Sequence, residues 1–223
     1  MEYVKIKNID DPLFAKFHRL MGEIFPKEEV LEFELWREPL LDPIIRMFVA
    51  VEDGEVVGAT EYRYYPDFNI AMTDFTLIGK DGRGIGRFLA QKRLEDLQEL
   101  AKQAGNQMMG MFAEIYNPHE VEEVTFGGVT AMNPFVRREV LSHLGYQKLN
   151  FPYVHPSWLN NGEAVHGLDF CFLPFQENIT SLKGSFIAQF LRTYYDILDN
   201  KPEEWKQMIQ NLEATEQVEL LPI

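Results

Sequence analysis

Lys80-Asp81-Gly82-Arg83-Gly84-Ile85-Gly86-Arg87 decides how the rest of this chain is read. An apolar, β-rich run from Ile70 to Ile78 leads into it, and a helical pattern from Phe88 to Ala104 leads out. Three glycines in five residues at a strand-to-helix junction permit turns with φ > 0 and let a ligand come close to the backbone. The first turn of the following helix has unpaired N–H groups directed back into the loop. With the helix dipole they make a phosphate cradle. Spacing excludes two common phosphate loops. A Walker loop needs a Lys-Ser/Thr pair, and none follows these glycines. A Gly-x-Gly-x-x-Gly fingerprint fails because Arg87 and Leu89 stand where its last glycine belongs.

A plain glycine turn would have the same composition, and local charge separates the two readings. The chain is acidic, with a formal net charge of −14, yet residues 80–93 hold Lys80, Arg83, Arg87, Lys92 and Arg93 against the single acid Asp81. Basic residues at a helix N-terminus oppose the dipole, so this island does not serve the helix and fits a polyanionic ligand. For Lys92 and Arg93 a solvated basic face is the alternative. Overall acidity argues against nucleic acid as a partner. No apolar run approaches the ~20 residues that cross a membrane, and Met1 to Lys5 lack a signal-peptide pattern. The reading is a cytoplasmic protein with no membrane partner. The single cysteine, Cys171, reads as a buried strand residue. No Cys/His cluster has metal-ligand spacing, so no metal is expected.

Taken in order, Tyr3 to Ile9 reads as a strand, and Asp10 or Asp11 caps a helix with Pro12 in its first turn and Leu13, Phe14, Phe17, Leu20, Met21 and Ile24 at helical spacing. A second helix is expected from Glu28 to about Glu38, with Val30, Leu31, Leu35 and Trp36 inward. Strands follow at Arg46 to Val51, Val56 to Tyr65 and Phe68 to Ile78, the first two joined by an Asp53-Gly54 turn. The helix of residues 84–104 stops at Gly105, and a strand runs from Met108 to Tyr116. Residues 119–132 form an insert with Glu120, Glu122, Glu123 and Gly127-Gly128. Asn133-Pro134 starts a helix that ends at Gly145, and strands follow at Gln147 to His155 and Ala164 to Leu173. Beyond residue 173, Leu182, Phe186, Ile187, Phe190, Leu191, Tyr194, Ile197 and Leu198 form an apolar helical stripe, and Pro202 opens a second helix carrying Trp205, Met208, Ile209 and Leu212.

The loop, Asp81-Gly82-Arg83-Gly84-Ile85-Gly86, resembles motif A of the GNAT superfamily of N-acetyltransferases, usually written Arg/Gln-x-x-Gly-x-Gly/Ala. Asp81 departs from its first position. The element order over residues 3–173 and Leu144-Gly145-Tyr146, like the family's Leu-Gly-Phe/Tyr, agree with it. The resemblance implies an α/β fold (α+β mixed): a central mixed, mostly antiparallel twisted sheet flanked by helices, plus a C-terminal helix pair. The domain would span 1–173, with 174–223 an extension packed on it. The implied reaction moves the acetyl group of acetyl-CoA, a co-substrate, to a primary amine in a ternary complex. The implied cofactor contacts are Leu77, Ile78, Gly79, Gly82, Arg83, Gly84, Ile85, Gly86 and Arg87, with Asn133 (or Asn117) from a helix start.

Such chemistry needs a base, because an ammonium of pKa about 10.4 has no lone pair. It needs a donor to the thioester oxygen, implied to be backbone N–H near Leu77 to Gly79. It also needs a proton for the departing thiolate. Glu114, the only carboxylate in an apolar strand, is the favoured base, with Asp74 second. The usual tyrosine acid is absent, its position being Leu141. Tyr153 is preferred over Tyr116 and His143, and water is a further option. Glutamates of the second helix and the insert favour a small cationic acceptor, and Tyr62, Tyr64, Tyr65, Phe68, Tyr116 and Tyr153 supply rings that suit a cation. The chain would be a monomer or homodimer. Two alternatives stay open. One is an acyl-CoA-binding sensor that has lost catalysis. The other is a transferase with a different acyl donor, its pocket opened through Gly58 or Gly110.

Overall fold

A computed structural model describes residues 1–25, 30–120 and 128–223. The chain divides into two compact units, Met1–Met111 with Val124–Arg137, and Phe112–Glu123 with Arg138–Ile223.

In the first unit β1 (Glu2–Ile6), β2 (Ile45–Glu52), β3 (Glu55–Tyr65) and β4 (Ile70–Ile78) pair antiparallel in that order. The β2–β3 turn places Asp53 and Gly54 at φ 53° and 79°, as an Asp-Gly hairpin requires. Helix α1 (Pro12–Ile24) is capped by Asp11, whose side chain accepts from Leu13 N. It buries Phe14, Phe17, Met21 and Ile24, and Phe17 stacks on Phe75 of β4 with ring centroids 6.0 Å apart.

The helix expected after α1 is not formed over the described residues. Glu28 and Glu29 lie outside them. The remainder makes two short 3₁₀ turns, Phe33–Trp36 and Pro39–Leu41. Trp36 is buried and its Nε1 donates to Leu31 O, while Leu31 and Leu35 are exposed. The stretch is too short and too close to Pro39 for helical periodicity to cover the apolar residues it marks. The first strand is also shorter than expected, ending at Ile6.

Helix α2 (Ile85–Gln103) packs on the other face of this sheet. Ile85 and Leu89 meet Ala50 and Val57 there, with Tyr3, Ile78 and Phe88 around them. The close approach depends on Gly58: a Cβ at that position would lie 2.5 Å from Ile85 Cγ2 and 2.9 Å from Leu77 O. Gly105, at φ 70°, ends α2. Asn106 N bonds back to Ala101 O, which satisfies a terminal carbonyl.

Strand β5 (Gly110–Tyr116) and helix α3 (Pro134–His143) each begin in the first unit and finish in the second. The second unit adds β6 (Gln147–Leu149), β7 (His155–Pro156), β8 (Ala164–Val165), β9 (Leu168–Pro174), β10 (Ser181–Leu182), helices α4 (Gly184–Tyr194) and α5 (Glu203–Ala214), and β11 (Val218–Pro222). Its strands lie in the order β5-β9-β6-β11-β10, with β7 and β8 as a separate pair. Phe112 is fully buried against Phe170, Phe172 and Phe190 at 4.6–5.1 Å between ring centroids. Cys171 is buried on β9, and burial pushes its thiol up. Helices α4 and α5 form as expected. Strand β11, which the sequence pattern does not announce, pairs antiparallel with β6, Leu220 opposite Leu149. Gln147 to His155 is not one strand, because β6 ends at Leu149 and β7 starts at His155. No described helix is long and apolar enough to cross a membrane.

Candidate active site

The glycine loop follows directly from local sequence. Gly82 and Gly84 sit at φ 70° and 67° with nothing within 4 Å of an added Cβ. Gly84 caps α2 from the left-handed region without a side-chain hydrogen bond, and the first intrahelical bond runs from Phe88 N to Gly84 O at 3.0 Å. The N–H groups of Ile85, Gly86 and Arg87 therefore have no intrahelical acceptor. No acidic residue occupies this first turn. Asp81, the departure from the family pattern, turns elsewhere: its Oδ2 accepts from Thr130 N at 2.9 Å and anchors the loop.

The basic island divides. Arg83 pairs with Glu52 at 2.6 Å and Lys92 with Glu95 at 2.7 Å. Arg93 is neither solvated nor part of a cradle. It is buried under α2, and its Nη1 donates to Thr60, Thr73 and Thr76 at 2.9–3.1 Å. Lys80 and Arg87 are exposed and form no ion pair among the described residues.

Just before the loop, β4 offers one backbone donor rather than three. Gly79 N already donates to Val57 O at 2.9 Å. Antiparallel alternation turns Leu77 N–H toward β3 as well, since Leu77 is opposite Ala59. Ile78 N–H is the one directed away from β3.

Further back, the register shifts: Glu61 is opposite Phe75 and Tyr62 opposite Thr73, so Asp74 is an extra residue on β4. Such bulges re-aim side chains. Asp74 Oδ2 accepts from Arg63 Nε at 2.9 Å. Glu61 lies beside them, 4.0 Å from Arg63. Burial first, and then the charge of Asp74, holds the Glu61 carboxyl well above the usual carboxylate range.

In the second unit, Tyr153 and Tyr195 hydroxyls both donate to Glu114 Oε1, and the two hydroxyl oxygens are 2.8 Å apart. Burial, and next the Glu114 charge, pushes both phenols up, so they serve as donors. His155 Nε2 lies 3.8 Å from Glu114 Oε2. The His155 ring packs against Trp158 and Tyr195. The cluster holds a carboxylate by two hydroxyl donors on one oxygen, with an imidazole near the other.

No family model matches the chain, and no curated protein matches it. Solved structures do. A Bacteroides thetaiotaomicron protein assigned to the GNAT acetyltransferases superposes with TM-score 0.58 at 17% identity, covering 90% of this chain and 98% of its own. A Staphylococcus epidermidis protein assigned as an acetyltransferase gives 0.54 at 11%, covering 78% and 99%. The ribosomal-protein-S18-alanine N-acetyltransferase from Escherichia coli gives 0.53 at 10%, covering 80% and 97%. The fold is the GNAT fold.

Within this GNAT fold several expected residues have local duties. Asn133 Oδ1 accepts from Phe135 N and Val136 N at 3.0 and 3.4 Å, capping α3. Asn117 Nδ2 donates to Glu120. Tyr62 is fully buried and donates to Asp96 at 2.7 Å. Gly58 opens no pocket, because Ile85 and Leu89 fill its space. Tyr153 meets Glu114 as a donor, but from the segment between β6 and β7 and not from a strand. Glu122, Glu123 and Gly127 lie outside the described residues. Sequence reasoning does not reach Tyr195, His155 and Trp158. Tyr195 is 81 positions from Glu114, and no spacing rule extends that far. The available signal is Tyr194-Tyr195 at the end of the apolar stripe. Among the described residues no group of three or more His, Cys, Asp or Glu could hold a metal ion.

Proposed function

We propose that this chain is an acetyl-CoA-dependent N-acetyltransferase acting on the primary amine of a small cationic acceptor. The observation that carries the reading is the loop of Gly82 to Arg87. Gly82 and Gly84 leave open space, its helix N-terminus has no side-chain cap, and its first turn holds no acid, all within a GNAT fold. These features suit the pyrophosphate of CoA: Ile85, Gly86 and Arg87 N–H groups would hold it, with Lys80 and Arg87 adding charge. Bound acetyl-CoA would supply an activated thioester. Ile78 N–H would donate to its oxygen, Glu114 would take the amine proton, and Tyr153 would serve as acid. The exposed Glu32 and Glu38 support a cationic acceptor. The protein would act as a monomer or homodimer.

A second reading, CoA binding without turnover, draws on one observation: both candidate bases are engaged, Glu114 by two tyrosines and Asp74 by Arg63. Thermal-shift titration with acetyl-CoA, CoA, ATP and NAD, on the parent and on Gly84→Glu, tests the first step. A ligand at a hundred times its Kd stabilises by about 2.7 kcal/mol. Shifts with the two CoA species only, absent in Gly84→Glu, support the loop. Thiol release in an amine screen then separates the transferase from the sensor. No shift with either CoA species overturns both.

A further inference from the structure

Arg93 is a buried cation held fast at one nitrogen and unpaired at the other two. Its side chain leaves α2 for the sheet and is 4% exposed. Nη1 donates to Thr60 on β3 and to Thr73 and Thr76 on β4 at 2.9–3.1 Å. Two hydrogens facing three hydroxyls leave that nitrogen fully used. Nε is buried with no partner among the described residues, and Nη2 donates to none of them. Nε–H and Nη2–H run side by side along one edge of the guanidinium, the edge that matches the two oxygens of a carboxylate. Arg46 shows that edge in use: its Nε and Nη2 grip Asp96, which lies one turn beyond Arg93 on α2. The Tyr3 hydroxyl feels the charges of Asp96, Arg93 and Arg46, so the three lie together under the helix. Arg46 has taken the carboxylate. Tyr3 and Tyr62 supply no second negative charge, because burial pushes both phenols up. A guanidinium keeps its proton inside a protein, and a buried charge without a counter-charge is costly. Water on the free edge would accept the hydrogen bonds and leave the charge unmatched. An anion does both.

We infer that the Nε–Nη2 edge of Arg93 binds a small carboxylate ion, of the size of formate or acetate, between α2 and the β3–β4 pair. The ion gives Arg93 the pairing that Arg46 receives from Asp96. The three threonine hydroxyls fix the guanidinium plane beforehand, so little side-chain freedom is lost when the ion binds. The bound ion ties the helix that carries the glycine loop to the sheet beneath it. The site is separate from that loop, since Arg93 lies more than two helical turns past Gly84. It therefore stands whether or not CoA binds.

The test follows the Nε–H magnetic-resonance signal of Arg93 in the parent chain, assigned by through-bond correlation along its own side chain. The protein is refolded from urea in sodium formate, acetate, chloride or methanesulfonate at one ionic strength, so that entry to a buried site does not limit binding. Formate and acetate should move the signal saturably and raise the melting temperature over the same concentration range. Chloride should need about tenfold more, because two parallel N–H bonds match two oxygens better than one sphere. Methanesulfonate should leave both readings at the baseline. Arg93→Lys keeps the charge and loses the edge, and should weaken the thermal response to formate by about tenfold or more. A parent signal that ignores formate and acetate, or that follows chloride at equal concentration, overturns the site even if the variant misfolds. A thermal shift with formate while the Arg93 signal stays still puts the carboxylate elsewhere and overturns it too.

Discussion

Asp96 on α2 and Glu114 on β5, one in each unit, sit in outwardly similar surroundings. Each is a largely buried carboxylate that accepts a tyrosine hydroxyl, Tyr62 for Asp96 and Tyr153 with Tyr195 for Glu114. The difference is the cation. Arg46 grips both oxygens of Asp96 through Nε and Nη2, and Tyr62 in turn contacts Tyr3 at 3.3 Å. Asp96 is matched in charge and its lone pairs are committed. Glu114 has neutral donors on one oxygen and a distant imidazole at the other. A carboxylate locked by a guanidinium holds a sheet and helix together, whereas one held by hydroxyls on one oxygen leaves the other without a hydrogen bond.

Glu114→Gln should produce the largest effect that separates the two. We expect kcat/KM for amine acetylation to fall by roughly 10²- to 10⁴-fold, with stability nearly unchanged because the amide oxygen still accepts from the tyrosines. Thiol release and urea unfolding check the two halves. Unchanged turnover would make Glu114 as structural as Asp96.

Arg46→Met should do the reverse. It strands a carboxylate under α2 and should cost about 2–3 kcal/mol. That is below the ~3–5 expected for a fully buried pair, because both partners keep some solvent. CoA affinity should stay as it was. A variant as stable as the parent would erase the difference between the two carboxylates.

Glu61 is a third kind of carboxylate: burial, and next the charge of Asp74, favour its protonated form. The folded state retains that proton above about pH 4.3, where the unfolded chain has released it. Stability therefore falls as pH rises from the unfolded pKa through the folded one. Glu61→Gln should match the parent near pH 4 and exceed it at pH 8. The gap should widen by at most about 1.4 kcal/mol for each step of one in pH across that window. Urea midpoints at several pH values read the difference. A parallel pair of curves would place a second cation beside Glu61.

Gly84→Ala should give the smallest effect, about 1 kcal/mol, since only the left-handed backbone opposes a methyl that has open space around it. It should weaken CoA binding far less than Gly84→Glu. Equal losses in both would mean that backbone conformation, not bulk in the cradle, controls the loop.

Features set within a few residues were legible in the sequence. Asp11 caps α1, Asp53-Gly54 turns β2 into β3, Gly84 opens α2, Gly105 closes it and Asn133-Pro134 starts α3. Each depends on a φ that glycine or aspartate tolerates, or on a side chain that reaches its own backbone, so short windows contain the cause. The strand-loop-helix order pointed to the GNAT fold for the same reason. The failures have the opposite character. The stretch through Trp36 carries helical spacing, yet its backbone settles into 3₁₀ turns around one buried indole. Strand β11 is short and ends in proline, and exists because β6 and β10 supply its partners.

The sequence by itself determined the glycine loop, the helix that follows it and the single carboxylate in an apolar strand. Tertiary structure alone decided that Arg93 is buried among threonines, that Asp74 is bound to Arg63, and that Tyr153, Tyr195 and His155 gather around Glu114. The reason is range. Backbone conformation is chosen by neighbours in the chain, but the partner of a buried charge is chosen by whatever packing brings within about 3 Å, and here that came from residues 39 and 81 positions away.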